Sequence, residues 1–244
     1  VTNQLALSGS GPEVMKISYA ALPWVLEKYA LLPCGGALGR GCGPLVLTGS
    51  RLNYAEDPAA LSGKTAAVPS ERSTAYLLFR LWASRHVPGG LGEVIVMPFH
   101  EIMPAVRDGK VDAGLVIHEA RFTYQNYGLT MMQDLGQWWE QDTGLPIPLG
   151  AIIARRGLDL PAISSWIRAS VQYGWDNPNA SKQYVMQHAQ EMDPDVAQSH
   201  IDLYVNEFTL DLGNDGYEAI EALLGRASKE GYVPSFDLEL LRRL

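Results

Sequence analysis

His118 stands where a short apolar run ends. Val111, Ala113, Leu115, Val116 and Ile117, bounded by the polar Lys110 and by His118 itself, predict a buried strand of a parallel sheet opening into a polar loop. Ligands of open α/β sheets gather just beyond the carboxyl ends of strands, so a histidine placed there meets a small molecule more readily than one inside a helix. Its chemistry would be proton abstraction, because an imidazole with the ordinary pKa of about 6.5 is mostly neutral near pH 7. A single general base contributes roughly 10²–10⁴-fold, so positioning and donors for negative charge must supply the rest. Position alone favours the plainer alternative, a histidine satisfied at a strand end. Glu119 could orient the imidazole, or could point away as its sequence neighbour.

Two serine/threonine positions could supply the donors. The strand candidate Val14 to Ser18 delivers Ser18 to a helix start at Tyr19. A serine together with the first amides of a helix can cradle a carboxylate, which helix polarity favours by about 0.3–1 kcal/mol when exposed. The alternative is that Ser18 caps and does nothing more. The strand Thr65 to Pro69 leads to Ser73 and Thr74, both cap candidates, before a helix carrying Leu77, Leu78, Leu81 and Trp82 on one side.

Other motifs carry less. Gly39 and Gly41 begin a GxGxxG pattern, but its last glycine falls on Pro44 and no helix pattern follows, so this is not a dinucleotide loop, and no GxxxxGK[ST] is present. Cys34 and Cys42 lack CxxC spacing and a nearby histidine pattern; two reduced thiols in a cytoplasmic protein are expected, with neither a zinc site nor a disulfide framework. His86, His100, His188 and His200 read as surface or packing residues. The adjacent Trp138 and Trp139 read as packing, with an aromatic substrate pocket as the alternative.

These residues need a scaffold, and 244 residues with 47% apolar content can bury one. The formal charge of −8 and the absence of a dense Lys/Arg cluster argue against nucleic acid or an anionic membrane as partner. No window approaches 18 uninterrupted apolar residues and no signal-peptide pattern is visible. The chain opens on Val1 and runs at once into Asn3-Gln4-Leu5, as a chain entered inside a domain would. Strand and helix patterns alternate from Thr65 to Ile117, which predicts a parallel-sheet α/β unit. After Arg155 the patterns are helical, with starts at Pro161 and at Asp193-Pro194; Ile163, Trp166, Ile167, Ser170 and Val171 are expected on one face. The simplest assembly is a discontinuous first lobe of residues 1–48 and 155–244, an inserted α/β lobe of residues 49–154, and a ligand cleft between them.

Five strings in collinear order carry a resemblance over nearly the whole chain: KISYAALP at Lys16, GGALGRGCGPL at Gly35, VIHEARFTYQNYGL at Val116, DLGQWWEQDTGLPIPLG at Asp134 and YVNEFTLDLG at Tyr204. The chain resembles the 1,4-dihydroxy-6-naphthoate synthases of the futalosine route to menaquinone. That family begins several dozen residues earlier, with a strand ending in a Ser-Pro-Cys-Pro-Asn-Asp-Thr motif that has no counterpart here. The resemblance implies an α/β, two-lobed periplasmic-binding-protein type II-like fold. It also implies a lyase acting on cyclic dehypoxanthine futalosine, with His118 as proton acceptor, ligand contacts at Ser18, Thr74 and Ala75 and also at Asn3, and neither metal nor cofactor. A small-molecule substrate and a possible homodimer are the expected partners. A solute-binding protein without turnover and the sister enzyme chorismate dehydratase are the competing readings; the IHE and tryptophan-rich strings favour the naphthoate synthase.

Overall fold

The computed structural model describes residues 2–118, 120–188 and 194–244. In chain order the elements are α1 (Thr2–Ser8), β1 (Val14–Ser18), β2 (Tyr29–Leu31), β3 (Ala37–Gly39), β4 (Leu45–Thr48), β5 (Ala66–Val68), α2 (Thr74–His86), β6 (Val94–Val96), α3 (Phe99–Arg107), β7 (Ala113–Val116), α4 (Ala120–Thr123), β8 (Thr130–Asp134) and α5 (Leu135–Thr143). There follow β9 (Ile147–Arg155), α6 (Leu160–Asp176), α7 (Lys182–His188), α8 (Pro194–Tyr204), α9 (Glu207–Leu210) and α10 (Gly213–Lys229). The chain divides into two compact units, Val1–Arg40 with Leu145–Leu244, and Gly41–Gly144.

In the first unit the nine-residue β9 is the hub, with β1, β2 and β3 all antiparallel to it. Along β1, Met15 and Ile17 are buried while Val14 and Lys16 are exposed, the period of two expected where one face of a sheet meets a core. α10 lies on β9 and buries Ile220, Leu223, Leu224 and Ala227, an i, i+3, i+4, i+7 stripe. Ala30, Leu32 and Ala154 pack against Leu160 with Ile163 and Ile167 of α6. Trp166, expected in that face, is instead 69% exposed. From Ile163 the helical period accepts i+3 and i+4 equally; the stripe that forms runs Leu160, Ile163, Ser164, Ile167. Ser164 fits it because its hydroxyl donates to the Leu160 carbonyl at 2.8 Å.

The second unit has the strand order β6-β5-β7-β4-β8. β5 runs parallel to β6 and β7, as the strand–helix alternation predicts, but β4 is antiparallel to both β7 and β8, so the sheet is mixed. The sequence of β8, TMMQD, has neither strict alternation nor β-branched enrichment and gives no strand signal. Leu45, Leu47, Ile102, Val106, Val116 and Leu129 form its core. The buried Asp112 ties β7 to β5, its Oδ2 accepting from the Thr65 amide and hydroxyl, both at 2.8 Å. An aromatic run joins α2 to α5: Trp82 stacks on Phe79 and His86, and His86 meets Trp138 edge-on. Trp138 and Trp139 are both buried.

The units part before β4 and before β9, whereas the sequence reading, with boundaries at 48/49 and 154/155, set each of those strands with the other unit. A short apolar run such as Leu45-Val46-Leu47 suits any buried sheet, and only its pairing, here with β7 and β8, assigns it.

Candidate functional site

The directions of the strands bring several loops of the second unit to one edge. β5, β6 and β7 are parallel, and β8 shares their direction because both it and β7 oppose β4, so all four open at the same side of the sheet. After β5 a serine turn sets up α2. The Ser70 hydroxyl accepts from the Arg72 amide at 3.2 Å; Ser73 Oγ donates to the Ser70 carbonyl at 2.9 Å and accepts from the Tyr76 amide at 3.1 Å. Ser73 is therefore the cap, and Thr74 and Ala75 are the first two helical residues, buried at 2% and 4% exposure. β6 is followed by Phe99 at the start of α3, and β7 by Ile117 and His118.

His118 is exposed and has φ +55°. The left-handed region costs an L-residue roughly 1–2 kcal/mol, although histidine visits it more often than most side chains. Its ring meets that of Phe99 edge-on at 6.0 Å between centroids. Its carbonyl accepts from the Arg121 amide at 3.2 Å, closing the turn into α4.

Arg121, which carries no sequence signal of its own, anchors this turn. Its Nη1 donates to the Gly43 carbonyl at 2.9 Å and its Nη2 pairs with Asp134 Oδ2. Asp134 also caps α5, its Oδ1 accepting from the Gly136 and Gln137 amides at 2.8 and 3.2 Å. The backbones of Gly43 and Gly136 lie so close that a Cβ on Gly43 would stand 2.2 Å from the Gly136 nitrogen. The neighbouring Cys42 is fully buried; burial pushes its thiol up to about 12, against the opposing pull of Arg121. Asp134 alone had a legible signal, an Asp directly before a helix.

In the first unit Ser18 departs from expectation. The helix it precedes is a six-residue 3₁₀ segment, Tyr19–Trp24, and the Ser18 side chain makes no capping bond to it. Asn3 of α1 takes the serine instead: Asn3 Nδ2 donates to Ser18 Oγ at 3.0 Å, and the Ser18 amide donates to Asn3 Oδ1 at 2.9 Å. The helix-start cradle read from the sequence at Ser18 is thus replaced by a side-chain pair. Lys16 shares a sheet face with Ser18, two residues along β1, and its Cε lies 3.1 Å from where a Cβ of Gly150, the partner of Ser18, would stand. Although the residue as a whole is exposed, protein atoms crowd the ammonium and hold its pKa below the usual lysine value. Among the described residues no carboxylate pairs with it. A lysine in a strand pattern gives no warning of this in sequence.

Asn3 and Ser18 are thus brought together in one unit, and Thr74, Ala75 and His118 are set on one edge of the other. Glu119 and Asp193 lie outside the described residues. His86 stacks on Trp82 and His188 on Tyr184, while His200 lies beside Tyr204; these are packing contacts. Among the described residues no helix is long and apolar enough to cross a membrane.

The chain is similar to 1,4-dihydroxy-6-naphtoate synthase of Streptomyces coelicolor, at 66% identity over 244 residues, 99% of this chain and 84% of that protein. Among solved structures it is similar to protein AF1704 of Archaeoglobus fulgidus, with TM-score 0.85 and 32% identity over 96% of this chain and 85% of that one. The Candida albicans CA3427 gene product, described as having the generic periplasmic binding protein fold, matches with TM-score 0.68 and 16% identity over 99% of this chain and 80% of that one. The fold is thus α/β and periplasmic-binding-protein-like. The family model for menaquinone biosynthesis matches residues 1–229, and the chain belongs to that family.

Proposed function

We propose that this protein is a carbon–carbon lyase of menaquinone biosynthesis that converts cyclic dehypoxanthine futalosine to 1,4-dihydroxy-6-naphthoate, with His118 as general base. The observation that carries the reading is the 66% identity, over 99% of the chain, to the Streptomyces coelicolor protein named for that product. Support for His118 comes from its place at a strand's carboxyl end, its exposure and its left-handed backbone, a strained conformation of the kind that collects at functional sites. Taking a proton beside the bond that breaks leaves negative charge for hydrogen-bond donors to hold, and formation of the aromatic ring draws the reaction forward. No step calls for a metal or a redox cofactor. Ser18, held by Asn3, and Thr74 with Ala75 contact the carboxylate or hydroxyl groups of the substrate, and Lys16 offers a cation beside Ser18.

Two further parts of the reading are a cytoplasmic location, supported by the free buried thiols of Cys34 and Cys42, and a homodimer. The exposed Trp166 and Tyr173, seven residues apart on one face of α6, support the dimer; sedimentation of a W166S/Y173S double variant as a monomer, against a dimeric parent, checks it.

Offering the substrate to the purified protein and following the naphthoate by absorbance tests the function. Turnover is expected, with a loss of 10²-fold or more in His118→Asn, which tolerates the left-handed backbone, and with substrate binding retained. Binding without turnover in the parent protein would convert the reading to a solute receptor. Full turnover in His118→Asn would remove the general base.

A further inference from the structure

We infer that Arg121 and Asp134 are positioning residues that hold the His118 turn in its strained conformation and so set the direction of the imidazole. This rests on the reading of His118 as the base. A non-glycine residue at φ +55° persists only where its surroundings over-determine it. Here the surroundings are specific. The Arg121 amide closes the turn onto the His118 carbonyl, and the Arg121 guanidinium fastens the following residues to two other segments: the Gly43 carbonyl at the entry to β4, and Asp134 at the end of β8.

The anchor is itself rigid. Asp134 has one oxygen on the guanidinium and the other on two amides of α5, and the backbone of Gly43 is wedged against that of Gly136. Only 18% of the Arg121 side chain and 9% of the Asp134 side chain are exposed, so neither partner has ready access to water as a substitute. A planar guanidinium reaches both acceptors in a fixed fork, whereas a lysine ammonium is a point charge that cannot reproduce that geometry. With the fork gone, the turn from His118 to Arg121 is free to relax toward an ordinary conformation, and the imidazole swings with it.

The test compares R121K, D134N, H118N and, as a control for stability loss elsewhere, R168Q, which breaks the Arg168–Asp211 pair of the first unit. kcat and KM for cyclic dehypoxanthine futalosine are measured per folded molecule, and amide exchange is followed across 120–123. R121K and D134N should lower kcat 10- to 100-fold, leave KM within about twofold and speed exchange of the Arg121 amide at least 10-fold; R168Q should change none of these. Should D134N not fold, R121K carries the test alone. R121K with parental kcat while H118N is inactive would overturn the positioning role and leave the base in place. H118N with parental kcat would overturn the base, and the role of Arg121 with it.

Discussion

Asn3 and Ser18 exchange two hydrogen bonds, amide side chain to hydroxyl at 3.0 Å and backbone amide to side-chain carbonyl at 2.9 Å. Because Ser18 Oγ accepts from Asn3, its own proton is directed elsewhere, available to a ligand oxygen. Asn3→Asp reverses this: the new carboxylate accepts the hydroxyl proton and withdraws it from the ligand. Losing one such bond corresponds to roughly 0.5–1.5 kcal/mol. N3D should therefore raise KM by roughly 2- to 10-fold with kcat nearly unchanged, as steady-state kinetics would show; an unchanged KM would separate the pair from substrate binding.

The left-handed backbone of His118 makes a stability prediction that runs against function. Glycine removes the steric cost of about 1–2 kcal/mol, offset by about 0.5–1 kcal/mol of extra chain entropy in the unfolded state. His118→Gly should be as stable as the parent protein or up to about 1.5 kcal/mol more stable in urea unfolding, while inactive. His118→Val, β-branched at positive φ, should be clearly less stable.

Strand ends and helix starts were legible because they have local causes. The apolar run before His118, the Ser73 cap before α2 and the Asp before α5 each sit where the sequence puts them. Partnerships were not legible, because they depend on which strands pair. The turn at Ser18 looks in sequence like that at Ser73, yet Ser73 caps its helix and Ser18 turns to Asn3, fifteen residues away. Arg121 is an unremarked arginine until the antiparallel β4 and β8 bring Gly43 and Asp134 beside it. Trp138 and Trp139 read as packing residues from their type alone, and both are buried, but that Trp138 meets His86 depends on where α5 lies against α2.

Asp112 predicts a pH dependence of stability. Burial works to raise its carboxyl, but the Thr65 amide and hydroxyl and the charge of Arg51, whose Nε is 3.0 Å away, outweigh this and hold it below the usual carboxylate range. A depressed folded pKa contributes stability that is present above the unfolded value of about 3.9 and lost as pH falls through the folded one. Asp112→Asn should cost roughly 1–3 kcal/mol at pH 7. Its unfolding free energy should converge on that of the parent protein below about pH 4, and parallel curves down to pH 2 would contradict the assignment.

The thiols make the opposite case. Burial raises both, Cys42 to about 12, so near pH 8 almost no Cys42 thiolate exists in the folded state. Cys42 should react with an aromatic disulfide reagent about 10³-fold more slowly than it does in the unfolded chain. Because the folded pKa lies above the unfolded one, its contribution to stability is full below about pH 8.5 and is lost as pH rises toward 12. Rapid labelling of the native protein at Cys42, mapped by mass spectrometry, would contradict its burial.

Gly41 and Gly43 are two residues apart and should respond differently to alanine. Gly41 has φ +64° and open space around it, so Gly41→Ala meets only the backbone cost of about 1 kcal/mol. Gly43→Ala sets a Cβ 2.2 Å from the Gly136 nitrogen and 2.5 Å from its Cα, backbone atoms that can yield only if the entry to β4 separates from α5. That should cost about 3 kcal/mol or more. It should also draw the Gly43 carbonyl away from Arg121, so that G43A loses kcat beyond its loss of folded protein while G41A does not. Urea unfolding of the two variants beside their kcat per folded molecule makes the comparison, and equal behaviour of the two would show that the Gly43–Gly136 approach is looser than its distances imply.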